Sequence, residues 1–288
     1  MAIFRYRFFM CVILFRAETN INLRTTNERS KFRRDILDEG SARTVMTQNI
    51  YDHEGFFQGY SQLSRSVHGL DGAPEWETLR SMLPDLSGAS VLDLGCGFGW
   101  FSRWAREHGS AEKVIGVDVS EKMLARGKAE TQDSNISYIK ADLETLELAS
   151  EEYDLVYSSL AFHYIENLQG LLKEVYRSLK PGGSLVCSVE HPIYTASSRA
   201  EWIQHPSGHQ TWPVDHYQQE GPRTTNWLAE GVIKQHRTMG TYLNMMIGLG
   251  FTMTHVEDWG PSEAQLAAHP EWEEEGHRPM FLLMSARK

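Results

Sequence analysis

The chain has 288 residues, 41% of them hydrophobic, and a formal net charge of −10. That length holds one large domain or two small ones with a sizeable core. The acidity argues against a polyanionic partner, because nucleic-acid binders neutralise phosphates with clustered Lys and Arg, and no such cluster follows residue 50.

The first 45 residues differ from the rest, with nine Lys/Arg against five acids. Residues 8–15 are apolar but far too few to span a bilayer. Arg16-Ala17-Glu18 stands where a signal peptide would carry small residues. Residues 1–45 are therefore expected to be a basic leader, disordered or not native, ahead of a working domain over 46–288. No membrane span is expected. The expected location is cytoplasmic; the alternative is an organelle, with the Arg-rich, acid-poor leader as presequence. Cys11, Cys96 and Cys187 have no metal-ligand spacing and leave one thiol unpaired. That pattern points to a reducing compartment, no disulfide framework and no metal site.

Residues 51–60 are aromatic and short of charge, Arg65 follows, and 75–82 read as a helix ending before Pro84. Then comes the most informative run, Val91-Leu92-Asp93-Leu94-Gly95-Cys96-Gly97-Phe98-Gly99. Its apolar half suits a buried parallel strand, its glycines a tight turn, and residues 100–108 a helix. Strand, glycine turn and helix form the nucleotide-binding half of a doubly wound α/β sheet. A dinucleotide fingerprint needs one more glycine three residues on, where this chain has Trp100 or Ser102. Asp93 would also repel a pyrophosphate, but would welcome a cationic amino-acid end. Cys96, inside the turn, reads as a small packing residue.

Four more strands follow on schedule. Residues 114–118 end in Asp118, placed where a carboxylate takes a ribose diol. Ser120 caps the next helix and Met123 sits on its first turn. Residues 136–142 end in Asp142. Residues 153–159 are a fourth strand. A helix over 167–179 closes at Lys180-Pro181-Gly182-Gly183, and 184–189 are a fifth strand.

This series closely resembles the class I S-adenosylmethionine (SAM)-dependent methyltransferases, especially the broad small-molecule group that includes the ubiquinone/menaquinone-type enzymes, over roughly residues 50–288. The resemblance implies an α/β fold: a seven-stranded, doubly wound, mostly parallel Rossmann-like sheet, whose last strand inserts antiparallel between its neighbours. It implies SAM as cofactor, held by Asp93, Gly95, Cys96, Gly97, Asp118 and Val119, with Met123, Asp142, Leu143 and Ser158 completing the site. It also implies an N-terminal lid whose Tyr60 and Arg65 face the methionine end, Arg65 matching the carboxylate.

Ligands in open α/β sheets sit beyond the carboxyl ends of the strands. His163 and Tyr164 follow strand four; His191, Pro192 and Tyr194 follow strand five. A long insertion then carries Trp202, Trp212, Tyr217 and Trp227. Over 191–237 it reads as a cap of short strands and turns between strands five and six, lining an aromatic pocket. A helix over 238–248 and strands over 251–256 and 280–285 complete the domain, with 261–277 between them as an acidic solvated face. The candidate bases are His191, His163 and His236, each near a strand end or in the cap. The expected reaction is methyl transfer to an O, N or C nucleophile of a small organic molecule. DNA adenine and protein glutamine methyltransferases resemble one another in an Asn-Pro-Pro-aromatic run after strand four; here the run is Ser158-Ser159-Leu160-Ala161-Phe162. The alternatives are an RNA or protein acceptor, a non-catalytic SAM-binding protein, and a nicotinamide-dependent oxidoreductase.

Overall fold

The computed structural model describes residues 46–199 and 201–288; the leader expected over 1–45, Cys11 included, lies outside the described residues. A 3-10 turn (Ile50–Asp52) leads into α1 (Glu54–Ser61), α2 (Ser64–Val67), a second 3-10 turn (Gly69–Gly72) and α3 (Trp76–Ser81). Next come β1 (Ser90–Leu94), α4 (Trp100–Glu107), β2 (Lys113–Asp118), α5 (Glu121–Glu130), β3 (Ile136–Lys140) and β4 (Tyr153–Ser159). A 3-10 turn (Phe162–Tyr164), α6 (Leu168–Ser178) and β5 (Leu179–Glu190) follow. Then come α7 (Pro192–Ala196) and two hairpins, β6 (Ile203–Gln204) with β7 (Gln210–Thr211) and β8 (Gly221–Trp227) with β9 (Ala229–His236). The remaining elements are α8 (Met239–Leu249), β10 (Thr252–Trp259), α9 (Glu263–Ala268), a 3-10 segment (Pro270–Gly276) and β11 (Phe281–Arg287).

One seven-stranded sheet runs in the order β10-β11-β5-β4-β1-β2-β3. β11 is antiparallel to both neighbours, and the pairs from β5 to β3 are parallel. Strand residues alternate between two cores. Leu92, Val156 and Leu185 face α6 and α8, while Val91, Leu155 and Val186 face α3 and α4. Burial on both faces is why β1 and β4 carry consecutive apolar residues, Val91-Leu92 and Leu155-Val156-Tyr157, rather than alternating ones. Order reverses between β1 and β4, so a crevice opens at their carboxyl ends.

The N-terminal segment covers that crevice. Asp52 accepts from Ser120 Oγ and the Lys122 amide, which ties it to the start of α5. Gln48 pairs with the β9 backbone at Gly231 and Ile233, both at 2.9 Å. Ile50, Phe56 and Val232 form a third, small core with Tyr51, Tyr60, Tyr164 and Trp227 packed against it. Lid and cap therefore share a set of apolar contacts.

Some expected boundaries move. β5 begins at Leu179, and 180–183 form an irregularity at its start, where pairing jumps from Tyr153–Leu179 to Leu155–Ser184. β3 ends at Lys140, two residues before Asp142. Residues 261–277, expected as a solvated face, hold a capped helix, with Ser262 and Gln265 forming a reciprocal capping box, and Trp272 reaches the crevice.

Candidate active site

β1 delivers the chain into the crevice at Gly95, where φ is +73°; Gly97 follows at +53°. A Cβ on Gly95 would stand 2.4 Å from the Ala161 Cβ, so only glycine lets this backbone pass beneath the loop after β4. The Gly97 amide donates to Asp118 Oδ2 and the Ser120 amide to Oδ1, both at 2.9 Å. Burial pushes the Asp118 carboxyl up, against those N–H donors, which pull it down. Each oxygen keeps acceptor capacity on the cavity side.

A cavity of about 400 Å³ lies over the strand ends. Over β1–β3 it is lined by Gly95, Gly97, Asp118, Val119, Met123 and Leu143; over β4–β5 by Ser159, His163, Tyr164, Glu190 and Tyr194. Tyr51, Tyr60, Trp227 and Trp272 line the remainder. A smaller space of about 90 Å³ adjoins it, bordered by Asp93, Cys96, Trp100, Ser66 and Glu75. Gly95, Gly97, Tyr60 and Arg65 line both. Asp93 is buried and accepts from Ser102 Oγ at 2.7 Å. Desolvation raises its pKa to about 7 despite that bond, with Asp118 adding like-charge repulsion. Trp100 Nε1 and Ser66 Oγ are buried without a partner. Orphaned donors next to a protonatable acid suit a zwitterionic amino-acid end.

Several expected site residues sit elsewhere or are already engaged. Ser158 points away and donates to the Leu94 carbonyl at 2.9 Å; its neighbour Ser159 faces the cavity. The Asp142 carboxylate is not among the lining groups and is engaged by the Thr47 amide and hydroxyl at 2.9 and 2.6 Å, anchoring the lid. The Cys96 sulfur packs toward Gly116, and burial pushes its thiol well up. Arg65 is already neutralised by Glu75, with Nη2 at 2.9 and 3.0 Å from the two carboxylate oxygens. Of the insertion's aromatics, Trp227 reaches the cavity. Trp202 and Trp212 pack with Tyr194 around Arg278, and Tyr217 packs beside His236.

The three histidines separate clearly. His191 caps α7: Nδ1 accepts from the Ile193 amide at 3.0 Å, so Nε2 carries the proton toward Asp258 Oδ1 at 2.8 Å. His236 is fully buried between Thr195 Oγ1 at 2.8 Å and the Tyr217 carbonyl at 2.9 Å. Neither lines the cavity. His163 does, but its Nδ1 accepts from the Glu190 amide at 3.3 Å, and burial lowers its pKa to about 4. Near neutral pH it is a neutral ring whose Nε2 donates. None of the three presents a free basic nitrogen to the cavity, which corrects the expected set of bases. Tyr51 and Tyr164 approach at 3.3 Å, and burial keeps both phenols protonated.

Glu190 escaped the sequence reading. It is the last residue of β5, and the signal that marked Asp93, Asp118 and Asp142, an acid at an apolar strand's end, applies to it equally. Its Oε1 accepts from Lys234 Nζ, while its Oε2 is buried without a partner.

No helix among the described residues is long and apolar enough to cross a membrane, and no group of three or more His, Cys, Asp or Glu there could hold a metal ion. Residues 92–187, the glycine turn through β5, match the family model described as a methyltransferase domain. An uncharacterized protein of Haemophilus influenzae is 36% identical over 252 residues, covering 83% of this chain and 97% of its own. A malonyl-acyl-carrier-protein O-methyltransferase of Enterobacter lignolyticus is 42% identical over 109 residues, but that match spans only 42% of its length. The crystal structure of an S-adenosylmethionine-dependent methyltransferase from Mesorhizobium loti matches with a TM-score of 0.74 and 54% identity, over 76% of this chain and 100% of that one. That structure is matched along its whole length at more than half identity, and this protein belongs to the S-adenosylmethionine-dependent methyltransferases.

Proposed function

We propose that the chain methylates an O, N or C nucleophile of a small organic acceptor held over β4–β5, with the cofactor over β1–β3. When bound, S-adenosylmethionine supplies a methyl on a sulfonium, an already activated electrophile. The Asp118 carboxylate would take the ribose diol, and Met123, Val119 and Leu143 would flank the base. Asp93 would take the amino group, with Gly95 and Gly97 allowing close backbone approach. Tyr60 and Arg65 would border the methionine end, Arg65 as a neutralised pair with Glu75.

On the acceptor side the residues position and exclude water. Tyr51 donates its hydroxyl to Tyr164, which leaves the neutral Tyr164 hydroxyl and His163 Nε2 as donors, and Trp227 and Tyr194 supply apolar walls. Alignment and desolvation carry most of the acceleration in such a displacement. The observation that carries the reading is that one cavity of about 400 Å³ is lined both by the glycine turn with Asp118 and by the aromatic wall. Its cover, from residues 47–60 and the β8–β9 hairpin, favours a small acceptor over a folded polymer. The malonyl-acyl-carrier-protein relatives agree with a small or carrier-borne acceptor.

The test is S-adenosylhomocysteine release against a panel of phenols, amines and enols, run beside tRNA and protein mixtures. A small molecule turning over at least tenfold faster than any polymer is the expected result. A polymer acceptor far ahead of every small molecule would overturn it.

A further inference from the structure

Glu190 ends β5 at the cavity wall, and its two oxygens are used unequally. Lys234, on β9, is buried and donates to Oε1, with its ammonium 4.9 Å from the centre of the Trp227 ring. Oε2 is buried and accepts from nothing. Leaving a buried carboxylate oxygen unpaired is costly, and such groups persist where a ligand satisfies them. Lys234 does not itself line the cavity, whereas Glu190, Tyr164, Tyr194 and Trp227 do. The ammonium engages Oε1, and Glu190 reaches the cavity wall among aromatic rings with Oε2 as its one unengaged oxygen.

We propose that Glu190 recognises the acceptor through Oε2, and that the group it takes is an N–H or O–H donor rather than a carboxylate. This rests on the methyltransferase reading of the same cavity. The Glu190–Lys234 pair carries no net charge, so an alcohol or phenol is accepted as readily as an amine. A carboxylate offers only acceptor oxygens and would leave Oε2 still without a donor. Lys234 is a positioning residue: by engaging Oε1 it fixes which oxygen is free.

The experiment uses three probes on one aromatic frame: phenethylamine, 2-phenylethanol and phenylacetate. Each is titrated by calorimetry into the full chain saturated with S-adenosylhomocysteine. The amine and the alcohol are expected to bind at least tenfold more tightly than phenylacetate. In Glu190→Gln, where an amide N–H₂ can face the cavity, that order should vanish or invert while S-adenosylhomocysteine affinity is unchanged. Phenylacetate binding the parent as well as the other two, no donor probe binding at millimolar concentration, or Glu190→Gln keeping the parent's order would overturn the proposal. The parent's order stands as a test even where the variant folds poorly. Failure of S-adenosylhomocysteine to bind the parent would overturn the whole site; its binding without discrimination would overturn the Glu190 assignment alone.

Discussion

The Gly97 amide donates to Asp118 Oδ2 at 2.9 Å, so the turn after β1 and the acid at the end of β2 form one hydrogen-bonded unit. Asp118 therefore shapes the glycine turn as well as offering its remaining lone pairs to a diol. Hydrogen bonds to a charged acceptor contribute about 1.5–3 kcal/mol. Asp118→Ala should weaken S-adenosylhomocysteine binding by roughly one to two powers of ten, read by calorimetry. A change under about threefold would mean that the carboxylate serves the turn and not the ligand.

Asp93 ties stability to pH. Burial raises its pKa from 3.8 to about 7, so between those values the folded chain holds a proton that the unfolded chain has lost. Its contribution to stability is full at the acid end and falls as pH rises from about 4 to about 7. Asp93→Asn should remove that slope from a series of melting temperatures. An ammonium drawn to Asp93 favours the ionised form, so S-adenosylhomocysteine binding at pH 6 should release a proton in the parent and none in the variant. Calorimetry in two buffers of different ionisation enthalpy measures it.

His191 should behave as a structural residue. It caps α7 through Nδ1 and meets Asp258 through Nε2, with burial lowering its pKa against the pull of Asp258. His191→Ala should cost about 1–2 kcal/mol by denaturant titration, as for a lost helix cap with a second hydrogen bond. Affinity for S-adenosylhomocysteine should stay within about threefold. A large loss of turnover with unchanged stability would return His191 to the chemistry.

The Glu190–Lys234 pair should separate stability from function. Lys234→Met alone strands a buried carboxylate and should destabilise by about 3–5 kcal/mol. The double replacement Glu190→Leu with Lys234→Met removes both charges and should leave the melting temperature equal to the parent's or above it. Methyl transfer by the double variant should nevertheless fall at least tenfold once an acceptor is known. A double variant as unstable as Lys234→Met would show that the pair is structural.

The sheet was legible because its signals are local. Runs such as 91–94 and 153–157 are mostly apolar without alternation, each broken by a single Asp, Asp93 or Asp154, as a strand buried on both faces requires. Gly95, Gly97, Asp118, Met123 and Leu143, which the family resemblance implied for the cofactor site, line the cavity, because a strand's end and the turn after it must face the crevice in a doubly wound sheet. Local signals did not extend to orientation. Ser158 and Ser159 are adjacent and identical, yet one bonds the Leu94 carbonyl and the other lines the cavity, because successive strand side chains point to opposite faces.

Chemical roles depended on partners far away in the chain. His191 meets Asp258, His236 meets Thr195, Asp142 meets Thr47 and Glu190 meets Lys234. No spacing rule connects these positions, since each pair forms only when β5, the cap, the lid and the sheet edge pack together. The sequence by itself determined the strand, glycine turn and helix series, which is near-neighbour patterning, and through the family resemblance that series carries, the sheet and the cofactor class. Only the tertiary structure decided which polar groups are already satisfied and which buried ones, Glu190 Oε2, Trp100 Nε1 and Ser66 Oγ among them, have no partner, because those partners come from elements distant in the chain.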